Sequence, residues 1–352
     1  MPKQTLLGLS EQELRTTLQG LGAPAFRGMQ VKEWLLKGVS FDKMNNLPLS
    51  LREKLKESFI DQPVRIVHTA RSQKDDTQKM LFSLLDGTCV EGVLMRYRYG
   101  DTLCISTQVG CRMGCIFCAS ALDGCIRNLT AEEMLGQTVM AGTLLPEHGR
   151  VSRIVLMGSG EPLDNYDQVV RFLRLVSSKE SLNIGLRNVS LSTCGLCEQM
   201  DRLANEGLPV TLSVSLHAPN DRIRRQIMPV AKTYPIEKLM VSCRNWVKKT
   251  GRRIVFEYAL INGLNAGEAC AKELASRLRG LQCHVNLIPL NDVKERDLQG
   301  VSAKQAKEFC AWLENLHISA SIRRTMGEDI DGACGQLRAC RLQQESFEER
   351  EG

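Results

Sequence analysis

Gly110-Cys111-Arg112-Met113-Gly114-Cys115-Ile116-Phe117-Cys118 sets three cysteines at C-x3-C-x2-C spacing, with an aromatic residue before the last. Three thiolates on one short loop hold three irons of a four-iron cubane and leave the fourth without a protein ligand. A structural iron–sulfur site takes four cysteines, so the trio predicts a [4Fe-4S] cluster with one open iron. An open iron is what S-adenosylmethionine (SAM) needs to touch a cluster and be reduced to a radical. The plainer readings are weaker. Fourteen cysteines allow chance spacings. A structural zinc site wants two pairs, and no matching Cys or His pair follows at finger distance. A disulfide framework belongs to an oxidising compartment, to which nothing else in the sequence points.

Outward from this loop the sequence alternates strand and helix. Aliphatic and β-branched runs predict strands over 103–109, 153–157, 188–193, 210–216, 254–260, 284–289 and 319–323. Helices are expected over 131–143, 168–177, 236–248, 267–278 and 303–316, with Thr130 and Glu133 as a capping box. Repeated β–α units imply a parallel sheet with right-handed crossovers. They are too few for the closed eight-stranded barrel, so the expected fold is α/β, a partial, open parallel β/α barrel. Chemistry in such folds sits at the C-terminal ends of the strands. The cysteine loop follows the first of them, and Gly158-Ser159-Gly160-Glu161-Pro162 follows the second.

Upstream, Ser10 and Glu13 form a capping box for a helix to about residue 21, and further helices are expected over 26–37 and 49–59. Strands follow over 64–68, 79–85 and 90–99, with Asp86-Gly87 turning between the last two. The division is therefore a small N-terminal helical domain (1–62), a short β extension (63–100), the barrel core (101–340) and a flexible tail (341–352).

Composition bounds the class. The 352 residues are 43% hydrophobic and 24% charged, as in an ordinary globular protein. No run approaches the ~18 apolar residues of a membrane span, and Met1-Pro2-Lys3-Gln4 opens no signal peptide. The expectation is a cytoplasmic protein with reduced thiols and no membrane. A net charge of +6 permits a nucleic-acid partner without demanding one.

The glycines at 158 and 160 let backbone approach a ligand closely. Glu161 is placed to accept from an ammonium group, which SAM carries. Ser192, Ser215-Leu216-His217 and Asn291 fall at strand ends on the same rim and offer groups for the carboxylate, ribose or adenine of SAM. Each has an alternative as a turn or cap residue, and His217 a second one as a satisfied buried histidine. Period two puts Cys104, Ser106 and Gln108 on one strand face. Cys334 lies among glycines on a polar loop, unlike Cys89 or Cys243, which read as small hydrophobes. Cys194 and Cys197 have redox spacing but read as incidental, because Cys197 starts a helix.

Cys104–Cys111, the cluster loop, Gly158–Asn165, Ser215–Asn220, Asn286–Asn291 and Asp329–Leu337 together resemble the RlmN/Cfr radical SAM RNA methyltransferases, RlmN more than Cfr. The likeness spans nearly the whole chain; Ser159 stands where the family commonly carries methionine. The resemblance implies methylation of carbon 2 of adenosine, with two SAM per turnover. Carbon 2 and the SAM methyl are both electron-poor, so a nucleophile must take the methyl first and a radical must deliver it. By resemblance Cys334 is that carrier, as an S-methylcysteine intermediate. The resulting carbon radical adds to the base, tethering protein to RNA. Cys104 then forms a transient disulfide with Cys334 and frees the product, while Glu91 accepts a proton. Implied cofactor contacts are Gly160, Glu161, Ser192, Ser215, Leu216, His217 and Asn291, with Cys111, Cys115 and Cys118 on the cluster. Implied substrates are an adenosine in the peptidyl-transferase region of 23S rRNA and the adenosine beside the anticodon of certain tRNAs. A flavodoxin or ferredoxin donates electrons, and the chain is expected to be a monomer. Arg222, Arg224, Arg225, Arg323 and Arg324 are candidates for RNA contact. The rivals are a Cfr-like C8-methyltransferase, a radical SAM enzyme with a non-RNA substrate, and an iron–sulfur or zinc RNA-binding module.

Overall fold

The computed structural model describes residues 3–146, 149–291, 293, 295 and 297–341. At its centre lies one mixed sheet. Antiparallel strands β1 (Val64–Arg71), β2 (Gln78–Leu84) and β3 (Thr88–Tyr97) lead into β4 (Gly100–Cys104). From β4 the pairing turns parallel, through β5 (Val151–Leu156), β6 (Val189–Thr193), β7 (Thr211–Ser215), β8 (Ile254–Leu260), β9 (Cys283–Pro289) and β10 (Ala320–Ile322). The spatial order is β10-β9-β8-β7-β6-β5-β4-β3-β2-β1. A last strand, β11 (Ala339–Arg341), returns to pair antiparallel with the start of β3. The open barrel expected from the alternating pattern is thus present in β4 to β10. The β extension is continuous with it, because Val93–Tyr97 pair with Cys104–Gly100. The expected tail, apart from Arg341, lies outside the described residues.

Helices α1 (Glu11–Gly20), α2 (Arg27–Leu36) and α3 (Leu49–Ser58) form the N-terminal helical unit. Their buried leucines join the same contiguous apolar core as the barrel. The barrel carries α4 (Ala131–Gly142), α5 (Tyr166–Ser177), α6 (Cys197–Leu203), α7 (Asp221–Ile227), α8 (Ile236–Thr250), α9 (Glu268–Leu278) and α10 (Ala303–Asn315). Both predicted capping boxes form, with the Glu13 N–H on Ser10 Oγ and the Glu133 N–H on Thr130 Oγ1. The seven-residue α6 and α7 were not expected as full helices; Cys197 does open α6. Two turns are too short to carry a repeating apolar stripe. Among the described residues no helix is long and apolar enough to cross a membrane.

One predicted strand is broken. The run over 103–109 stops at Cys104, with one further ladder bond from the Ile105 N–H to Val155 O. Gly158 N–H then donates to Ile105 O at 3.0 Å, and Ser159 N–H to Ser106 Oγ at 2.9 Å. The chain turns there, and Gln108–Gly110 pair with Cys125–Asn128 in a separate small ladder. Cys104, Ser106 and Gln108 therefore do not share a strand face.

The strands also differ on their two sides. β6 reads Val-Ser-Leu-Ser-Thr and β7 reads Thr-Leu-Ser-Val-Ser. Val189, Leu191, Leu212 and Val214 are buried in the core. The serines between them point the opposite way, into a trough along the inner face of the sheet. A parallel sheet covered on both faces is apolar on both, and a closed barrel is filled by side chains. This inner face is polar and open.

Candidate active site

At the C-terminal ends of β5 to β9 the trough narrows into a cleft of about 160 Å³, open to solvent. Cys111, Cys115 and Cys118 all line it. Gly110 sits at φ +81°, and a Cβ there would fall 2.0 Å from the Gly124 carbonyl oxygen, so the loop doubles back only with glycine. The Cys111 N–H bonds Gly124 O at 2.7 Å, and the Ile116 N–H bonds Ile227 O at 3.0 Å. Ser159, at the family's usual methionine position, accepts the Gly110 N–H on its hydroxyl at 3.2 Å. Burial pushes the Cys111 thiol up to about 12 and raises Cys115 and Cys118 as well. Metal coordination deprotonates such thiols outright. Among the described residues no three Cys, His, Asp or Glu side chains gather tightly enough to hold one metal ion. A cluster with an iron for each thiolate asks for no such convergence, and an all-thiol donor set suits it.

Opposite the thiols lies Glu161. At Gly160, with φ +111°, a Cβ would fall 2.7 Å from Gln108 N and from Thr107 Oγ1, so only glycine fits there. The Glu161 carboxylate is buried and accepts from the Leu163 N–H (3.0 Å) and the Cys194 N–H (2.7 Å). Burial raises its pKa. A buried carboxylate facing a cleft seeks a cation, and an ammonium group fits. Ser192, Ser215, His217 and Asn291 line the same cleft.

His217 adopts a left-handed φ of +54°, held by the Asn265 amide on its carbonyl at 2.7 Å. Its Nδ1 accepts the Ala259 N–H at 2.9 Å, so Nε2 carries the proton. Burial, helped by Arg224, pushes its pKa down to about 3 and keeps the ring neutral. Leu216 departs from the expectation. Its side chain is fully buried in the core and does not line the cleft, and its backbone bonds Glu257 O and Arg224 Nε.

Cys334 faces two spaces at once. It lines the cleft with the three cluster cysteines, and it lines a second, smaller pocket with Cys104. Cys104 is buried among Val93, Met95, Met326 and Leu337, and burial pushes its thiol up to about 12. The loop bearing Cys334 is docked on the cluster loop, through the Ala119 N–H on Gly335 O (2.7 Å) and Ser120 Oγ on Leu337 O (2.6 Å). The Asn291 amide donates to the Cys334 carbonyl at 3.0 Å. Outward, Asp329 accepts from Ser72 Oγ and the Gln73 N–H of the β1–β2 turn. Glu91 lies beyond this group. Its carboxylate pairs with Lys79 at 3.2 Å and accepts the Arg338 N–H at 2.9 Å, and it lines neither space.

The arginines divide. Arg224 is fully buried and donates to the carbonyls of Cys194, Ser215, Leu216 and Tyr234, so it clamps the cleft floor and is unavailable to RNA. Arg222, Arg225 and Arg324 are exposed. Arg323 faces both spaces, where Cys334 and then Glu257 hold it firmly protonated. Glu257, buried and bonded by the Asn286 amide at 2.8 Å, was not singled out from the sequence. Its one signal was its place mid-strand in an apolar run.

An open barrel with three thiols at the exit of its first parallel strand defines a radical SAM enzyme, and the family model described as Radical SAM superfamily matches residues 105–271. A second model, Ribosomal RNA large subunit methyltransferase N-terminal domain, matches residues 4–60. A protein of Alkaliphilus oremlandii named "Probable dual-specificity RNA methyltransferase RlmN" is 49% identical over 345 residues, 97% of this chain and all of that one. One of the same name from Clostridium beijerinckii is 46% identical over 97% of each chain. The crystal structure of a radical SAM methyltransferase from Sphaerobacter thermophilus superposes with a TM-score of 0.91 at 43% identity, covering 95% of this chain and 99% of that one. The chain belongs to the RlmN family of radical SAM RNA methyltransferases.

Proposed function

We propose that this enzyme methylates carbon 2 of adenosine, in 23S rRNA and in tRNA, with Cys334 carrying the methyl group. The observation that supports this most is that Cys334 faces both the thiol-lined cleft and the Cys104 pocket. Bound in that cleft, a cluster with an open iron supplies the electron that turns SAM into a hydrogen-abstracting species. The protein's own groups do the rest. Glu161 takes the SAM ammonium, and Ser192, Ser215, the His217 Nε2–H and the Asn291 amide take its other polar groups, with Gly160 lining the same cleft. Cys111, Cys115 and Cys118 hold the cluster.

Cys334 as thiolate forms a bond to a SAM methyl while the sulfonium leaves. Arg323 lines the same two spaces. The S-methyl gives a hydrogen atom to the SAM-derived species, its carbon bonds adenine carbon 2, and the adduct gives up one electron, which the group held by Cys111, Cys115 and Cys118 would take back. Cys104 as thiolate attacks the Cys334 sulfur, an S–S bond forms, the S–CH2 bond breaks with its electron pair passing to the base, and a proton from solvent completes the methyl group before the base departs. Thiolate character and access govern that exchange. Glu91 takes the carbon 2 proton once it turns from Lys79. A flavodoxin or ferredoxin supplies electrons to a monomeric enzyme in the cytoplasm.

The experiment is anaerobic turnover with rRNA and tRNA fragments, followed by mass spectrometry of base and protein. The expected result is one added methyl on Cys334 and product methyl on carbon 2. Cys104→Ala should accumulate a covalent protein–RNA species. Methyl on carbon 8, or product formed by Cys334→Ala, overturns the reading.

A further inference from the structure

We infer that the lower half of the trough is a groove for single-stranded RNA, and that Tyr97, Tyr99 and Arg153 form its stacking platform. This rests on the RNA methyltransferase reading and adds where, and by what contacts, the nucleotides beside the target adenosine are held.

The groove runs below the cleft along the same strands, encloses about 610 Å³ and is open to solvent. Its floor mixes the hydroxyls of Thr102, Ser190, Thr211 and Ser213 with Val155 and Val255, and is left open where a closed barrel would be filled by packed side chains. Four arginines face it, Arg153, Arg187, Arg323 and Arg324. Among the described residues Arg153, Arg187 and Arg324 form no ion pair. The carboxylate among its lining residues, Glu257, is engaged by Asn286. A floor with hydroxyls under several guanidinium groups is built for an extended anion, and guanidinium forks match phosphate.

The aromatic pair names the kind of anion. Tyr97 and Tyr99 stack in parallel, with centroids 4.9 Å apart and planes 7° from each other. Tyr99 is 62% exposed, and the Arg153 guanidinium lies 4.8 Å from its ring centre. Arg153, with its guanidinium over the Tyr99 ring, and the stacked Tyr97 and Tyr99 make one exposed π and cation stack, whose open outer faces are a base-stacking surface. Bases offer their faces where the strand is unpaired, since the A-form duplex hides them. The platform is also in the right place. Tyr97, Met95, Met157, Arg323 and Arg324 line both this groove and the Cys104–Cys334 pocket. A strand lying on Tyr99 therefore delivers its next base toward Cys334.

The test uses the intact holoenzyme and a tRNA anticodon stem-loop. Fluorescence anisotropy of wild type, Tyr99→Ala, Tyr99→Phe and Arg153→Ala is read across a salt series. Tyr99→Ala should weaken binding about ten-fold or more, and Tyr99→Phe should keep near-wild-type affinity because it keeps the ring face. Arg153→Ala should flatten the slope of log affinity against log salt by about one. In the unmutated protein, 4-thiouridine placed next to the target adenosine should photocrosslink to the peptide holding Tyr97 and Tyr99. Equal affinity in Tyr99→Ala, or crosslinks confined to the N-terminal helices, overturns the platform while the function stands. A wild-type enzyme that methylates no RNA overturns both.

Discussion

The upper and lower halves of the trough are made from the same strands and are chemically opposite. Above, the loop that follows β4 brings three half-buried thiols, and β5 and β7 lead to a buried carboxylate and a neutral imidazole. Below, the same strands present hydroxyls, tyrosines and arginines to open solvent. The upper half suits cations, namely iron and the ammonium and sulfonium of SAM. The lower half suits a polyanion. Charge is thus sorted along the strand axis, so that a phosphate backbone meets arginines and stays away from Glu161. Between the halves sits Arg323, which touches both.

The sorting can be broken from either end. The largest effect is expected for Cys115→Ala, which should lose iron on reconstitution and lower methylation at least ~10³-fold. RNA affinity should stay within about two-fold, as the platform is independent of the thiols; a parallel fall would show the halves to be coupled. Next comes Glu161→Gln, expected to weaken SAM about 10- to 100-fold, the value of a charge-assisted bond, as read by anaerobic calorimetry. Because burial raises the Glu161 pKa, SAM affinity in the wild type should fall with acidification already above the ordinary carboxylate range.

His217 sharpens the contrast through pH. Its folded pKa of about 3 lies below the ordinary 6.5, so the unfolded chain takes up its proton first. Stability should therefore fall as pH drops from 6.5 toward 3. In His217→Asn that slope should shrink by up to about 1.4 kcal/mol per pH unit, as measured by urea denaturation. In the lower half, Arg187→Ala should cost a few-fold in RNA affinity and about one unit of salt slope without altering iron content. The smallest effect is expected at Ser159. Removing the hydroxyl that holds the Gly110 N–H should cost about 1 kcal/mol, seen in the denaturation midpoint, and leave the groove unchanged.

Much of this was legible in the chain. The parallel strands announced themselves through aliphatic runs ending at glycine turns, and the cluster loop through spacing alone. The break at Cys104 was hidden, because Ile105 and Val109 are good strand formers. It is imposed from outside by Gly158 and Ser159 taking the backbone of residues 105–108. Arg224 was hidden in a run of surface arginines. Its burial depends on carbonyls brought together from four separate positions, which no local pattern encodes. Leu216 was misplaced by the same limit, since its neighbours in sequence point into the cleft while period two turns it outward. The contrast between the halves was written in the alternating serines of β6 and β7, but a serine in a strand gains meaning only once the opposite face is known to be packed.

The loop bearing Cys334 is fastened at both feet, by the Arg323 N–H on Leu287 O at one end and by β11 on β3 at the other. A thiol on such a leash meets Cys104 at an effective concentration set by the tether rather than by solution, commonly millimolar or higher. Reductants in the surrounding medium must compete against that local value. In the proposed mechanism the step that frees the product is therefore intramolecular, whereas the step that resets the pair needs an outside thiol to enter a pocket lined by Met95, Met326 and Leu337.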